Sequence, residues 1–190
     1  MKVTKIHLSV PRNGQIVEIP SFSAIYTSEK PVFSSRKEEL LDEISSRNYG
    51  LFDGFLVGEH DGLEHFQLGQ RKGINVGGKK APLYVIGINE EHNQLFVGEG
   101  ENHPGLWTSI IYFTDSQVLR DLNSLKEQWE IGIEVMINSA VLKEKVHAIL
   151  YVFEERIIIE FGSPVSIAIR EHTLEIHLKG IPPLKITIIN

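Results

Sequence analysis

The chain has 190 residues, 42% apolar and 23% charged, with a formal net charge of −6 and no cysteine. That size allows one compact domain or two small ones, and the missing thiols exclude a disulfide scaffold, cysteine-ligated zinc or iron–sulfur, and thiol catalysis. No run approaches the about 18 apolar residues of a membrane span, and the opening MKVTKIHLSVPRNG lacks a signal peptide's apolar stretch, so a cytoplasmic location with no membrane partner is expected.

Residues 2–10 alternate, with Ile6, Leu8 and Val10 on one face and Lys5, His7 and Ser9 on the other, the period of a strand. Pro11 and Asn13-Gly14 end it, and residues 15–19 are placed to return as a hairpin. Ser34 or Ser35 caps a helix predicted over 36–47. Glu38 and Glu39 suit its first turn, and Leu40, Leu41 and Ile44 form one apolar stripe that packs on a sheet or meets a partner. Apolar runs at 55–57, 66–68, 84–88 and 94–97 predict a small antiparallel β unit, with residues 89–93 (NEEHN) as a hairpin turn.

Residues 110–113 form the next strand. Over 116–129, Val118, Leu122, Leu125 and Trp129 recur at helical spacing, with Asp115 or Ser116 as cap. Strands follow at 131–137, 146–153, 156–161, 166–170, 173–178 and 184–189, with Glu154-Glu155 and Gly162-Ser163-Pro164 read as turns. Strands in that number fit a closed barrel, which leaves no exposed edge. The fold class is mainly β (α+β): an extension over 1–53 with a short helix, a small antiparallel central domain over 54–107, and a C-terminal β-barrel over 108–190, with one or two short helices in all.

One block fits no periodic element. Residues 58–78 read GEHDGLEHFQLGQRKGINVGG, with Gly58, Gly62, Gly69, Gly73, Gly77 and Gly78 around Gln70, Arg71 and Lys72. Glycine at that density marks tight turns or close backbone approach, and Gln and Arg offer donors suited to phosphate, carboxylate or base edges. Lys79 and Lys80 add charge, whereas Glu59, Asp61 and Glu64 dilute it. The ordered series Gly58-Glu59-His60-Asp61-Gly62-Leu63, Gly69-Gln70-Arg71-Lys72-Gly73, Gly77-Gly78, Pro82-Leu83-Tyr84-Val85, Asn93-Gln94-Leu95-Phe96-Val97-Gly98 and Gly100-Glu101-Asn102-His103-Pro104 resembles the central domain of the bacterial tRNA-specific 2-thiouridylases, the MnmA family. The resemblance is strong over 54–106 and weaker beyond. Residues 158–165 (IIEFGSPV) are similar to an element of that family's last β-barrel.

The resemblance implies a tRNA-facing loop with Gln70, Arg71, Lys72, Lys79 and Lys80 as RNA-binding residues and Gly69, Gly73, Gly77 and Gly78 as its backbone turns. It also implies what is missing. No S-G-G-x-D-S pyrophosphate loop and no sulfur-carrying cysteine occurs, so the chain resembles the non-catalytic half of such an enzyme, with no cofactor of its own. An active single-chain thiouridylase is excluded unless this sequence is part of a longer product. The barrel departs from the family pattern: residues 133–140 lack the arginine, Arg170-Glu171-His172 replace P-G-Q, and the terminal glycines are gone. Two functions follow as expectations. One is a tRNA-docking accessory module that works with a separate ATP-dependent thiolation subunit. The other is a protein-interaction or regulatory β module of the same descent that does not bind tRNA, which the acidic balance favours.

Other chemistries find no support in the sequence. His60 and His65, five residues apart, point to opposite faces of an extended segment, and a zinc site needs three or four converging ligands. His103, before Pro104, reads as a turn residue rather than a base. The segment 69–73 can cradle a phosphate, but no helix starts after it. No nucleophile-elbow, zincin or Walker sequence occurs.

Overall fold

The structure is a computed structural model that describes residues 13–29, 31–45, 48–153 and 156–187. Among the described residues, ten strands form two sheets. The first sheet contains β1 (Gly14–Glu18), β2 (Phe55–His60), β3 (Leu83–Asn89) and β4 (Gln94–Glu99), in the order β2-β1-β4-β3. The second contains β5 (Trp107–Phe113), β6 (Ile133–Ser139), β7 (Val146–Phe153), β8 (Arg156–Ser166), β9 (Thr173–His177) and β10 (Leu184–Thr187), in the order β10-β9-β6-β7-β8-β5. The mainly β expectation holds, with short helices α1 (Ala24–Thr27), α2 (Arg36–Ser45) and α3 (Ser116–Asp121).

The pairing of β1 corrects the hairpin expected for it. Residues 2–10 lie outside the described residues, and β1 pairs antiparallel with β2 and parallel with β4. The first sheet is therefore mixed. The second sheet is a curled half-barrel whose ladder ends at β5 and β10 instead of closing, among the described residues.

β4 (QLFVGE) is buried almost throughout because both faces of the first sheet are covered. One face packs Ile16, Val85, Leu95 and Val97 against Ile74, with Phe66 and Val76 at the margin. Ile74 belongs to the glycine-rich block, and its burial contributes about 1.5–3 kcal/mol, so that block is the lid of a core. The other face packs Val17, Ile19, Ile86 and Phe96 against Leu106 and Ile167, which joins it to the second sheet.

The connection from β1 to β2 is long and carries α1 and α2. Ser35 Oγ accepts from the Glu38 N–H (3.2 Å), and the Glu38 carboxylate accepts from the Ser34 N–H (3.1 Å) and hydroxyl (2.6 Å), so both expected capping serines act. These bonds hold the Glu38 carboxyl below its ordinary pKa. Leu40 and Ile44 pack on Ile110, Tyr151, Phe153 and Ile158, the convex face of the second sheet. Arg36 links Glu39 (2.5 Å) to Glu160 on β8. The apolar stripe therefore docks within the chain.

Three further expectations are corrected. Residues 66–68 form no strand; they pack over the first sheet, and the Leu68 N–H donates to Glu171 (2.9 Å). The strand expected over 166–170 is also absent: Ser166 ends β8 and residues 167–170 form no strand. The Ser166 hydroxyl accepts from the Ala168 N–H (3.4 Å) and starts the 3₁₀ turn Ile167–Glu171, which still buries Ile167 and Ile169. Gly162-Ser163-Pro164 lies inside β8, where the register jumps from Thr108↔Val165 to Ile110↔Glu160, so the residues between loop out of one strand. Asp115 caps α3 as expected, accepting from the Gln117 and Val118 N–H groups at 2.8 and 3.0 Å. After Asp121 the backbone tightens into a 3₁₀ stretch, Asn123–Gln128. The Glu154-Glu155 turn and residues 188–190 lie outside the described residues.

Candidate nucleic-acid interface

The loop after β2 is built around Gln70. Its side-chain oxygen accepts from the Gln67 N–H (3.0 Å), and its amide donates to the carbonyls of His65 (3.1 Å) and Lys72 (2.8 Å). The backbone alongside grips the first sheet: the Gly69 N–H donates to Val85 and the Val85 N–H to Gln70, at 2.8 and 2.9 Å. Gly69, Gly73 and Gly78 take φ of +81°, +88° and +77°, and the backbone at Gly77 and Gly78 faces open space. The loop is thus shaped by its own bonds, and the Gln70 amide is turned inward.

Arg71, Lys72 and Lys80 are exposed, with no ion-pair partner among the described residues. Lys79 differs: it is half-buried and paired with Glu18 of β1. Of the proposed RNA-binding residues, Arg71, Lys72 and Lys80 present free charge, Lys79 ties the loop to the sheet, and Gln70 shapes the backbone that carries Arg71.

Two buried histidines anchor the surroundings. His103 Nδ1 accepts from the Gly105 N–H (3.1 Å), and Nε2 donates to the Ile19 carbonyl (2.9 Å). Burial holds its pKa below the ordinary value. Its ring lies where a Cβ on Gly98 would stand, 2.4–2.7 Å away, so Gly98 is required by close approach. His60 repeats the arrangement: Nδ1 accepts from the Gly62 N–H (3.1 Å) and Nε2 bonds the Asn93 carbonyl (3.3 Å). Both have the spacing His-x-Gly, a signal present in the sequence and missed there. With both nitrogens used, these rings are structural. His65 lies on the exposed side of the loop.

A cleft of about 750 Å³ separates β3 from β5 and the turn at Ile167–Glu171. Its walls include Tyr49 and Tyr112, and Arg170 and Glu171 sit at its side. Sequence reading noted those two residues as a departure from the family pattern without assigning them a place. Burial pushes the Glu171 carboxyl up, against the pull of the Leu68 N–H.

Comparison with known proteins gives this geometry a relationship. The family described as tRNA methyl transferase PRC-barrel domain matches residues 42–99. The chain is 35% identical over 156 residues to the tRNA-specific 2-thiouridylase MnmA of Flavobacterium johnsoniae, covering 82% of this chain and 40% of that protein. It is 33% identical over 153 residues to the MnmA of Karelsulcia muelleri, covering 80% and 37%. The chain carries an MnmA-like central and C-terminal region. The MnmA of Halalkalibacterium halodurans is 52% identical over only 56 residues, 30% of this chain, so the likeness is concentrated. This MnmA-like chain spans about two fifths of the length of the first two relatives.

Proposed function

We propose that this chain is a tRNA-docking module that works in the cytoplasm beside an ATP-dependent subunit in tRNA modification. The observation that carries the reading is the preformed loop at 69–80, where Arg71, Lys72 and Lys80 project freely from a backbone fixed by Gln70. Cations on a rigid frame lose little entropy when they meet phosphates. The names of the relatives support tRNA as the nucleic acid. The 190 residues hold no cysteine, so persulfide chemistry falls to the partner.

Fluorescence anisotropy with labelled tRNA at two salt concentrations tests this. Binding is expected to weaken with salt, and Arg71→Ala to cost about 1–3 kcal/mol if Arg71 contacts a base edge, or to reduce the salt slope by about 1 if it contacts phosphate. Equal affinity and equal slope for Arg71→Ala remove that residue from the interface. Absence of binding at low salt refutes the reading.

One observation favours the protein-interaction alternative. Phe55 and Leu56 on edge strand β2 are 65% and 59% exposed, next to a fully exposed Phe52. Under that reading Phe55→Ser abolishes binding of a protein partner, while tRNA is not bound by the parent chain.

A further inference from the structure

We propose that the cleft between β3 and β5 receives a single unstacked RNA base carrying an exocyclic amino group; this rests on the tRNA-docking reading and names the chemistry of a second contact. At about 750 Å³ the cleft falls within the range of sites that enclose one small ligand. β3 and β5 are edge strands, so unpaired backbone groups border it. The open edge of β3 starts at Ile86, because at Val85 it is already taken by Gly69 and Gln70.

The walls suit a flat ring. Tyr49 is fixed against the first sheet: its ring lies 2.7 Å from where a Cβ on Gly87 would stand, and its hydroxyl meets that of Tyr26 at 2.7 Å. Tyr112 is 40% exposed and supplies a free aromatic surface. Bases in single-stranded RNA are held by stacking on such side chains. The polar groups then select. Glu90, Glu91 and Glu171 place carboxylates around the mouth, which repel phosphate and accept from an amino group. Glu171 spends one oxygen on the Leu68 N–H and keeps the other.

The phosphate path is close by. Leu68 lines the cleft, and Arg71 follows three residues later, at most about 10 Å along the chain. A strand held at Arg71 and Lys72 therefore passes the mouth within reach of a flipped base, at modest unstacking cost where the RNA is already single-stranded.

The test uses free nucleosides, which lack phosphate and so do not depend on Arg71. Cytidine and uridine differ in the amino group, and amide shifts in the ¹H–¹⁵N spectrum of the 190-residue chain report binding. Cytidine is expected to shift Gly87, Ile88, Tyr112 and Ile167, with uridine about fivefold weaker or more. Glu171→Gln keeps an oxygen for the Leu68 N–H and should erase that preference; Tyr112→Ala should weaken both nucleosides. Amides outside the cleft confirm that each variant is folded. No shifts at the cleft, equal affinity for the two nucleosides, or an unaffected Tyr112→Ala overturns the proposal. If tRNA still binds through Arg71, the docking reading survives that result. Nucleoside binding without tRNA binding upholds the cleft and refutes the docking reading.

Discussion

Gly98 and His103 form one packing unit, and a double-mutant cycle exposes it. In Gly98→Ala the new methyl stands 2.4–2.7 Å from three ring atoms of His103. That ring is 2% exposed and pinned by Gly105 and Ile19, so it cannot yield without breaking a buried hydrogen bond. Overpacking costs about 1–3 kcal/mol and a broken buried bond about 1–3 more, so Gly98→Ala should cost about 2–6 kcal/mol. His103→Ala, which removes the ring and orphans the Gly105 N–H and Ile19 carbonyl, should cost a similar amount. In the double variant the methyl at position 98 occupies the space the ring vacated, and the second substitution should cost under about 0.5 kcal/mol. Urea unfolding of the four proteins gives a coupling energy of at least about 1.5 kcal/mol if this is right. In thermal melts each kcal/mol appears as about 2–4 °C at this size. If Gly98→Ala costs the same with and without His103, the clash is not what makes Gly98 necessary.

Three other outcomes follow from the same contacts. Burial lowers the folded pKa of His103 below its unfolded value, so the unfolded chain takes the proton first. Stability should therefore be flat above the ordinary histidine pKa, fall as pH drops below it, and level once the folded form is also protonated; His103→Asn, compared with the parent in urea at about pH 7.5 and about pH 5, should remove this residue's share. Leu40→Ala should cost about 2–5 kcal/mol, whereas Arg36→Ala, at a 42% exposed side chain, should cost about 1 or less and lose even that in high salt; equal costs in urea would mean that charge, not the apolar stripe, docks α2. Gln70→Ala should speed amide exchange at Gly69 and Val85 while the core stays protected, and unchanged exchange would show that the three Gln70 bonds do not hold the loop.

Local patterning revealed most strands because their apolar runs are unambiguous. Residues 146–153 are an unbroken apolar segment apart from His147, and they form β7 over the expected span. The failures occurred where a partner distant in sequence decided the outcome. Phe66 and Leu68 alternate like a strand, but Glu171 takes the Leu68 N–H that a ladder would need. Ile167 and Ile169 alternate as well, yet the Ser166 hydroxyl redirects the backbone into a 3₁₀ turn that buries both. Nothing near Gly14–Glu18 announces that its neighbours are Phe55–His60 and Gln94–Glu99, because that pairing spans a connection containing two helices. The basic residues of the site were legible by type. Their unequal freedom was not, since it depends on Glu18 reaching Lys79 and on the carbonyls that capture Gln70.

The two His-x-Gly stations change what the resemblance can be asked to support. His60 with Gly62, and His103 with Gly105, lie in the stretch 54–106 that resembles the MnmA family, and the first pair falls within the matched residues 42–99. In this structure they face inward, using both imidazole nitrogens to tie the β2 turn to Asn93 and the β4 turn to Ile19. Their presence is sufficiently explained by the fold they secure, whether or not RNA is bound. The weight of the docking reading therefore falls on the side chains that the fold does not need, Arg71, Lys72 and Lys80. Their charge is unspent among the described residues, and the acidic balance of the chain would otherwise keep an RNA away. A ligand-binding role for this chain stands or falls with those three cations and the cleft beside them, not with the length of the matched motif.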